Sequence, residues 1–98
     1  MTTLIVGGGL SGLALARLLQ DQGRDYLLVE ARDRFGGRIK THWQGGGYFD
    51  LGPAWFWDAQ PRIAALIDRL GLRKFEQFSD GELSVEDANG HVQRGQGF

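Results

Sequence analysis

The sequence predicts an α/β fold built on a parallel strand–helix–strand unit, and three observations carry that prediction. A continuous apolar run, Thr3 to Val6, leads straight into Gly7-Gly8-Gly9-Leu10-Ser11-Gly12. A stretch rich in Leu and Ala follows and ends at Gly23, the pattern of a helix and its C-terminal stop. A second apolar run, Tyr26 to Val29, closes at Glu30, about twenty residues beyond the glycines.

Taken in order, Thr3 to Val6 reads as a short, fully buried strand of the kind found in parallel sheets. The helix is expected from about Leu10 to Gln22, with Leu15, Leu18 and Leu19 and the small Ala14 and Ala16 as its apolar surface. Tyr26 to Val29 is the second parallel strand, and the three elements make a right-handed βαβ unit. A loop from Ala31 to Arg38 follows. Ile39 to Trp43 and Tyr48 to Leu51 read as short strands joined by the turn Gly45-Gly46-Gly47. Pro61 opens a second helix, in which Ile63, Leu66, Ile67 and Leu70 recur at helical spacing before the stop Gly71-Leu72. Leu83 and Val85, then Val92 after Asn89-Gly90, read as a hairpin with a tight turn. Gln96-Gly97-Phe98 carries no expected helix or strand, and neither a repeat nor a linker interrupts the chain.

Composition narrows the function classes. At 98 residues the chain is at most one small domain with limited capacity to bury a core. A hydrophobic content of 42% argues against disorder, and a net charge of −1 gives no electrostatic case for nucleic acid or an anionic membrane. Having no cysteine, the chain has no disulfide, thiolate metal site or cysteine nucleophile, which suits a cytoplasmic protein. The first strand begins almost at Met1, so no signal peptide is expected, and no apolar stretch approaches membrane-spanning length.

The glycines each have a mechanical task in binding a dinucleotide. Gly7 turns the chain sharply off the first strand, Gly9 lets a pyrophosphate lie against backbone, and Gly12 lets helix and strand pack closely. Unpaired amides at the helix start face the phosphate, assisted by the positive end of the helix dipole. The Glu30 carboxylate suits both hydroxyls of an unphosphorylated ribose. Farther on, Gly36-Gly37-Arg38 suits a second close approach to pyrophosphate, with the Arg38 guanidinium binding phosphate bidentately. Two such contacts exceed what a plain NAD site needs and suit an extended dinucleotide clamped from both sides.

These residues resemble the N-terminal FAD-binding segment of the flavin-containing amine oxidase superfamily, which includes monoamine and polyamine oxidases. The resemblance rests on Val6 to Leu13, on Glu30-Ala31-Arg32 through Gly36-Gly37-Arg38, and on Phe49-Asp50-Leu51-Gly52-Pro53-Ala54-Trp55. It implies a Rossmann-like, doubly wound domain that is incomplete within residues 1–98, with FAD as cofactor and an amine or other reduced small molecule as substrate. By position, Ser11 would contact the phosphates and Glu30 the adenosine ribose. Arg32 and Arg38 would hold the ribose and pyrophosphate side, with Pro53, Ala54 and Trp55 near the flavin ring. Pro53 departs from the small residue, often glycine, expected there. The family places its substrate-recognition residues and a water-positioning lysine downstream. The expectation is therefore a fragment or truncated product, inactive alone, that self-associates through the open edge of its sheet. A non-catalytic nucleotide-binding or assembly module, and an NAD-dependent dehydrogenase segment, stay open as alternatives.

Other polar residues have plainer readings. Ser11 suits a helix-start amide as well as a phosphate. Arg34 reads as solvated surface, and Trp43 and Trp57 as packing residues. His42 and His91 lack metal-ligand spacing, Asp58 reads as helix-start chemistry, and no Ser–His–Asp or paired-carboxylate arrangement emerges.

Overall fold

A computed structural model describes residues 1–96, so the expectation for Gly97-Phe98 lies outside the described residues. The chain is mixed α/β and divides into two compact units, Met1–Trp55 and Phe56–Phe98.

The first unit opens with strand β1 (Thr3–Val6), helix α1 (Leu10–Asp21) and strand β2 (Tyr26–Val29). β1 and β2 pair in parallel, Thr3 opposite Tyr26 through Val6 opposite Val29, as the alternation of apolar run and helix requires. Ile5, Ala16 and Leu19 form the buried core, with Tyr26 and Leu28 packed against it. The helix meets the sheet along Gly12, Ala16 and Leu19, positions at helical spacing on one stripe. Leu15 and Leu18, expected on that face, lie one stripe over and are exposed. β1 is likewise half buried rather than fully buried. Its Ile5 is 5% exposed while Leu4 and Val6 on the other face are 60% and 79% exposed. A parallel strand is covered on both faces only when helices pack on both, and α1 covers one.

Helix α1 stops as expected. Gly23 takes a left-handed conformation, its N–H bonds to the Gln20 carbonyl, and the Arg24 N–H reaches back to Leu19. The unit ends in an antiparallel hairpin of β3 (Lys40–Gln44) and β4 (Gly47–Leu51). Only Gly45 and Gly46 form the turn; Gly47 is already the first residue of β4, paired with Gln44. A two-residue turn with positive φ at both positions matches the twist of the strands, so the third glycine is free to enter the ladder. Thr41 Oγ1 donates to Asp50 Oδ1 at 2.7 Å across the hairpin, and the Trp43 and Tyr48 rings pair with centroids 5.2 Å apart.

The second unit holds helix α2 (Pro61–Arg69) and the antiparallel hairpin β5 (Leu83–Glu86) and β6 (Val92–Gly95). Pro61 sits in the first turn of α2 and Gly71-Leu72 closes it by the same paired bonds seen after α1. None of its residues is buried. Beyond the Glu86–Val92 pair the Asp87 N–H donates to the His91 carbonyl at 3.0 Å and the Gly90 N–H to the Asp87 carbonyl at 3.0 Å, so the hairpin closes in the tight turn expected at Asn89-Gly90. Asp87 builds it by accepting the Asn89 and His91 amides at 2.8 and 2.9 Å, which holds its carboxyl below the ordinary value. Asp58, by contrast, is not helix-start chemistry: its carboxylate faces Lys74 Nζ at 3.4 Å, while Gln60 occupies the position before the helix.

Candidate functional site

The site is assembled in the first unit where three glycine-rich turns converge. The first leaves β1. The Gly7 N–H still continues the sheet, donating to the Val29 carbonyl at 2.8 Å, and Gly7 then turns at φ +105°, a conformation that L side chains rarely adopt. A Cβ on Gly12 would land on the Gly7 carbonyl oxygen, so only glycine lets α1 start this close to the turn. Both readings of these glycines hold in the structure.

Helix α1 begins without a side-chain cap. Gly9 is its N-cap, its first turn carries no acidic residue, and the first helical bond runs from the Leu13 amide to the Gly9 carbonyl at 3.0 Å. The amides of Leu10, Ser11 and Gly12 therefore have no partner within the helix. Ser11 does not cap the helix, so of its two readings the one that satisfies a helix-start amide is not realised. A Cβ built on Gly9 meets nothing within 4 Å, so the space beside these amides is open. Orphan donors, the positive end of a dipole and open space next to them form the donor set an anionic pyrophosphate needs.

Glu30 locks this turn to the end of β2. Its Oε2 accepts the Gly8 N–H at 2.6 Å and its Oε1 accepts the Arg32 N–H at 3.1 Å. These two bonds, the Gly8 amide foremost, hold the carboxyl below its ordinary value of 4.5. Each oxygen keeps a further lone pair for an outside donor. The carboxylate is thus already oriented where a ribose is expected, with Leu28, Arg32, Asp33, Arg34 and Phe35 lining the adjoining recess.

The second turn lies directly on the first. Gly36 donates its N–H to the Gly8 carbonyl at 2.8 Å, Gly9 and Gly36 form an isolated parallel bridge, and a Cβ on Gly37 would stand 3.3 Å from Gly9 Cα. The glycine pair expected to approach pyrophosphate thus has a prior task, fitting one turn of backbone against another. With its amide bonded to Gly8, Gly36 has no N–H left for a phosphate. The third turn closes behind: a Cβ on Gly52 would collide with the Arg38 carbonyl, so the end of β4 abuts the Gly36-Gly37-Arg38 segment.

The predicted residues divide accordingly. Gly7, Gly9, Gly12, Glu30, Gly36 and Gly37 come together, and the backbones of Arg32 and Arg38 join them. Neither the Arg38 nor the Arg32 side chain makes a hydrogen bond or ion pair among the described residues, although the Arg32 charge helps hold the Glu30 carboxyl down. Pro53, Ala54 and Trp55 are exposed and outside regular structure, following Gly52 at the end of β4.

Three residues were missed. Gly8 is buried; a Cβ there would strike the Phe35 ring and sit 3.1 Å from Glu30 Oε2. Phe35 is thus the lid over Gly8. Arg34, read from sequence as solvated surface, points inward instead: Nη2 donates to the Gly37 carbonyl at 2.9 Å, and Nη1 lies 3.5 and 3.4 Å from the Phe35 and Ile39 carbonyls. The middle glycine of the run Gly7-Gly8-Gly9 is the available signal for the first; nothing local marks the others.

No helix among the described residues is long and apolar enough to cross a membrane, and no cluster of three metal-ligating side chains occurs among them.

Residues 10–97 match the sequence profile of the family described as flavin containing amine oxidoreductase. The chain is 38% identical over 79 residues to putrescine oxidase of Kocuria rosea, covering 81% of this chain and 16% of that protein. It is 45% identical over 74 residues to flavin-containing amine oxidase B of Homo sapiens, covering 74% of this chain and 14% of that one. Among solved structures, wild-type putrescine oxidase bound to putrescine superposes with a TM-score of 0.83 at 36% identity, over 99% of this chain and 22% of that one. Cyclohexylamine oxidase from Brevibacterium oxydans also reaches 0.83 at 36% identity, over 95% and 21%. The chain thus spans about a seventh to a fifth of the relatives it matches.

Proposed function

This chain belongs to the flavin containing amine oxidoreductase family, and from that premise we propose that it is the FAD-binding part of an amine-oxidising flavoenzyme, a Rossmann-like and incomplete doubly wound unit. The observation that carries the proposal is the uncapped start of α1: amides without helical partners, no acid in the first turn, and open space beside Gly9. In the proposed complex these amides and the Ser11 hydroxyl hold phosphate oxygens. Glu30, fixed by Gly8 and Arg32, turns its remaining lone pairs to the adenosine ribose. Arg38 neutralises the pyrophosphate, and Arg32 closes the ribose side. Pro53, Ala54 and Trp55 run past the ring system; Pro53 has no N–H, so it packs without donating a hydrogen bond. When bound, FAD supplies the two-electron acceptor for oxidation of a C–N bond. The substrate class, an amine, rests on the relatives, among them the putrescine and cyclohexylamine oxidases.

Titration of the protein with FAD, NAD and ADP, followed by calorimetry, tests the proposal. Tighter binding of FAD than of ADP is expected, because the flavin side adds contacts beyond the adenylate. Equal affinity for FAD and ADP would point to a nucleotide-binding module, and preference for NAD to a dehydrogenase segment.

A further inference from the structure

We propose that Arg34 is a positioning residue, a guanidinium brace that holds the Gly36–Gly37 turn against the Gly8–Gly9 turn and thereby sets where Arg38 meets the cofactor's phosphates. The second half of this inference rests on the FAD reading above; the first half stands on geometry alone.

Gly36 and Gly37 have φ of +111° and +59°, consecutive positive values that bend the chain back on itself. One backbone bond closes the bend, from the Ile39 amide to the Gly36 carbonyl at 3.0 Å. Another bond attaches it to the neighbouring turn, from Gly36 to Gly8. Two consecutive glycines are the most flexible stretch a chain can present, and two backbone bonds alone hold such a bend weakly. The bend also leaves carbonyls converging on its inner side. Arg34 fills that space, with Nη2 on Gly37 and Nη1 between Phe35 and Ile39. A planar fork with several fixed donors can serve carbonyls on both arms of a turn at once, whereas a lysine ammonium is a single point charge. No carboxylate pairs with Arg34 among the described residues, so its positive charge stays in the turn behind the phosphate site. The next residue, Phe35, covers Gly8. Arg34 therefore holds one turn and Phe35 covers the other, and Arg38 follows within the same bend.

The test uses the whole chain with Arg34→Ala, Arg34→Lys and, as comparison, Arg38→Ala. Amide hydrogen exchange without any ligand reads the brace directly. In Arg34→Ala and Arg34→Lys the Gly36 and Ile39 amides should exchange faster by about tenfold or more, while Ile5 and Leu19 exchange as in the parent; this is the loss expected for bonds to a charged group. In Arg38→Ala those amides should keep their protection. FAD titration reads the consequence: Arg34→Ala should lose about tenfold to a hundredfold in affinity. Added guanidinium ion should restore part of it in that variant, and Arg34→Lys should not recover it. Unchanged exchange at Gly36 in a folded Arg34→Ala protein would overturn the brace. Faster exchange with unchanged FAD affinity would overturn its role toward the cofactor. Failure of the parent chain to bind FAD would sink the functional reading and that role, leaving exchange to judge the brace.

Discussion

The two units of this chain contain the same ingredients, one helix, hairpin strands and positive-φ glycines, and use them differently. In Met1–Trp55 several glycines are surrounded: a side chain added at Gly8, Gly12, Gly36 or Gly52 would meet a ring or a carbonyl. In Phe56–Phe98 the glycines at 71 and 81 meet nothing within 4 Å, and α2 buries no residue. At those positions of the first unit glycine allows close contact; at 71 and 81 in the second it only allows the chain to turn. The buried core of the first unit is only Ile5, Ala16 and Leu19. A well-packed backbone site can therefore form on a very small buried core, since the fit of the turns depends on hydrogen bonds and absent side chains more than on apolar burial.

The strongest test of this contrast places the same methyl group in each unit. Gly12→Ala drives a Cβ into the fixed Gly7 carbonyl, and a loss on the order of 3 kcal/mol is expected, enough to unfold a marginal domain. Gly71→Ala meets no atom and is opposed only by its φ of +63°, for about 1 kcal/mol. Urea unfolding followed by circular dichroism measures both, and equal losses would erase the distinction.

A second test sharpens the role of Glu30 as the latch of the first unit. Its carboxyl is held below 4.5 in the fold, so its two backbone bonds contribute fully above that ordinary value. That contribution is lost as pH falls through the lower folded-state value. The parent should therefore lose stability between neutral pH and the acid range more steeply than Glu30→Gln, which has no carboxylate to protonate. Parallel stability curves for the two proteins would remove Glu30 from this role.

The smallest effect belongs to the second unit. Phe75 and Phe78 are 87% and 83% exposed. Replacing both with serine should change stability by less than about 0.5 kcal/mol, as for ordinary surface positions. A larger loss in the same urea experiment would mean that this unit packs its aromatic residues in solution.

Much of the architecture followed from local pattern. The βαβ order, the Pro61 start and Gly71 stop of α2, and the strand pair around Gly45-Gly46 are consequences of hydrophobic periodicity and turn chemistry, which act over a few residues. Gly7, Gly12 and Glu30 were readable too, because their spacing along the chain is the spacing the turn itself imposes. What the sequence could not supply is which partner a residue finds across the fold. The exposed face of β1 and the Asp58–Lys74 pairing both depend on what lies beside an element rather than on the element's own residues. Most telling are Gly36 and Arg34. Sequence assigned the glycine to a ligand and the arginine to solvent; the fold lays that glycine against Gly8 and sets that arginine among carbonyls. An arginine donates to whichever acceptors a turn brings within reach, and it is the tertiary meeting of two glycine turns, about twenty-seven residues apart along the chain, that puts those acceptors in place.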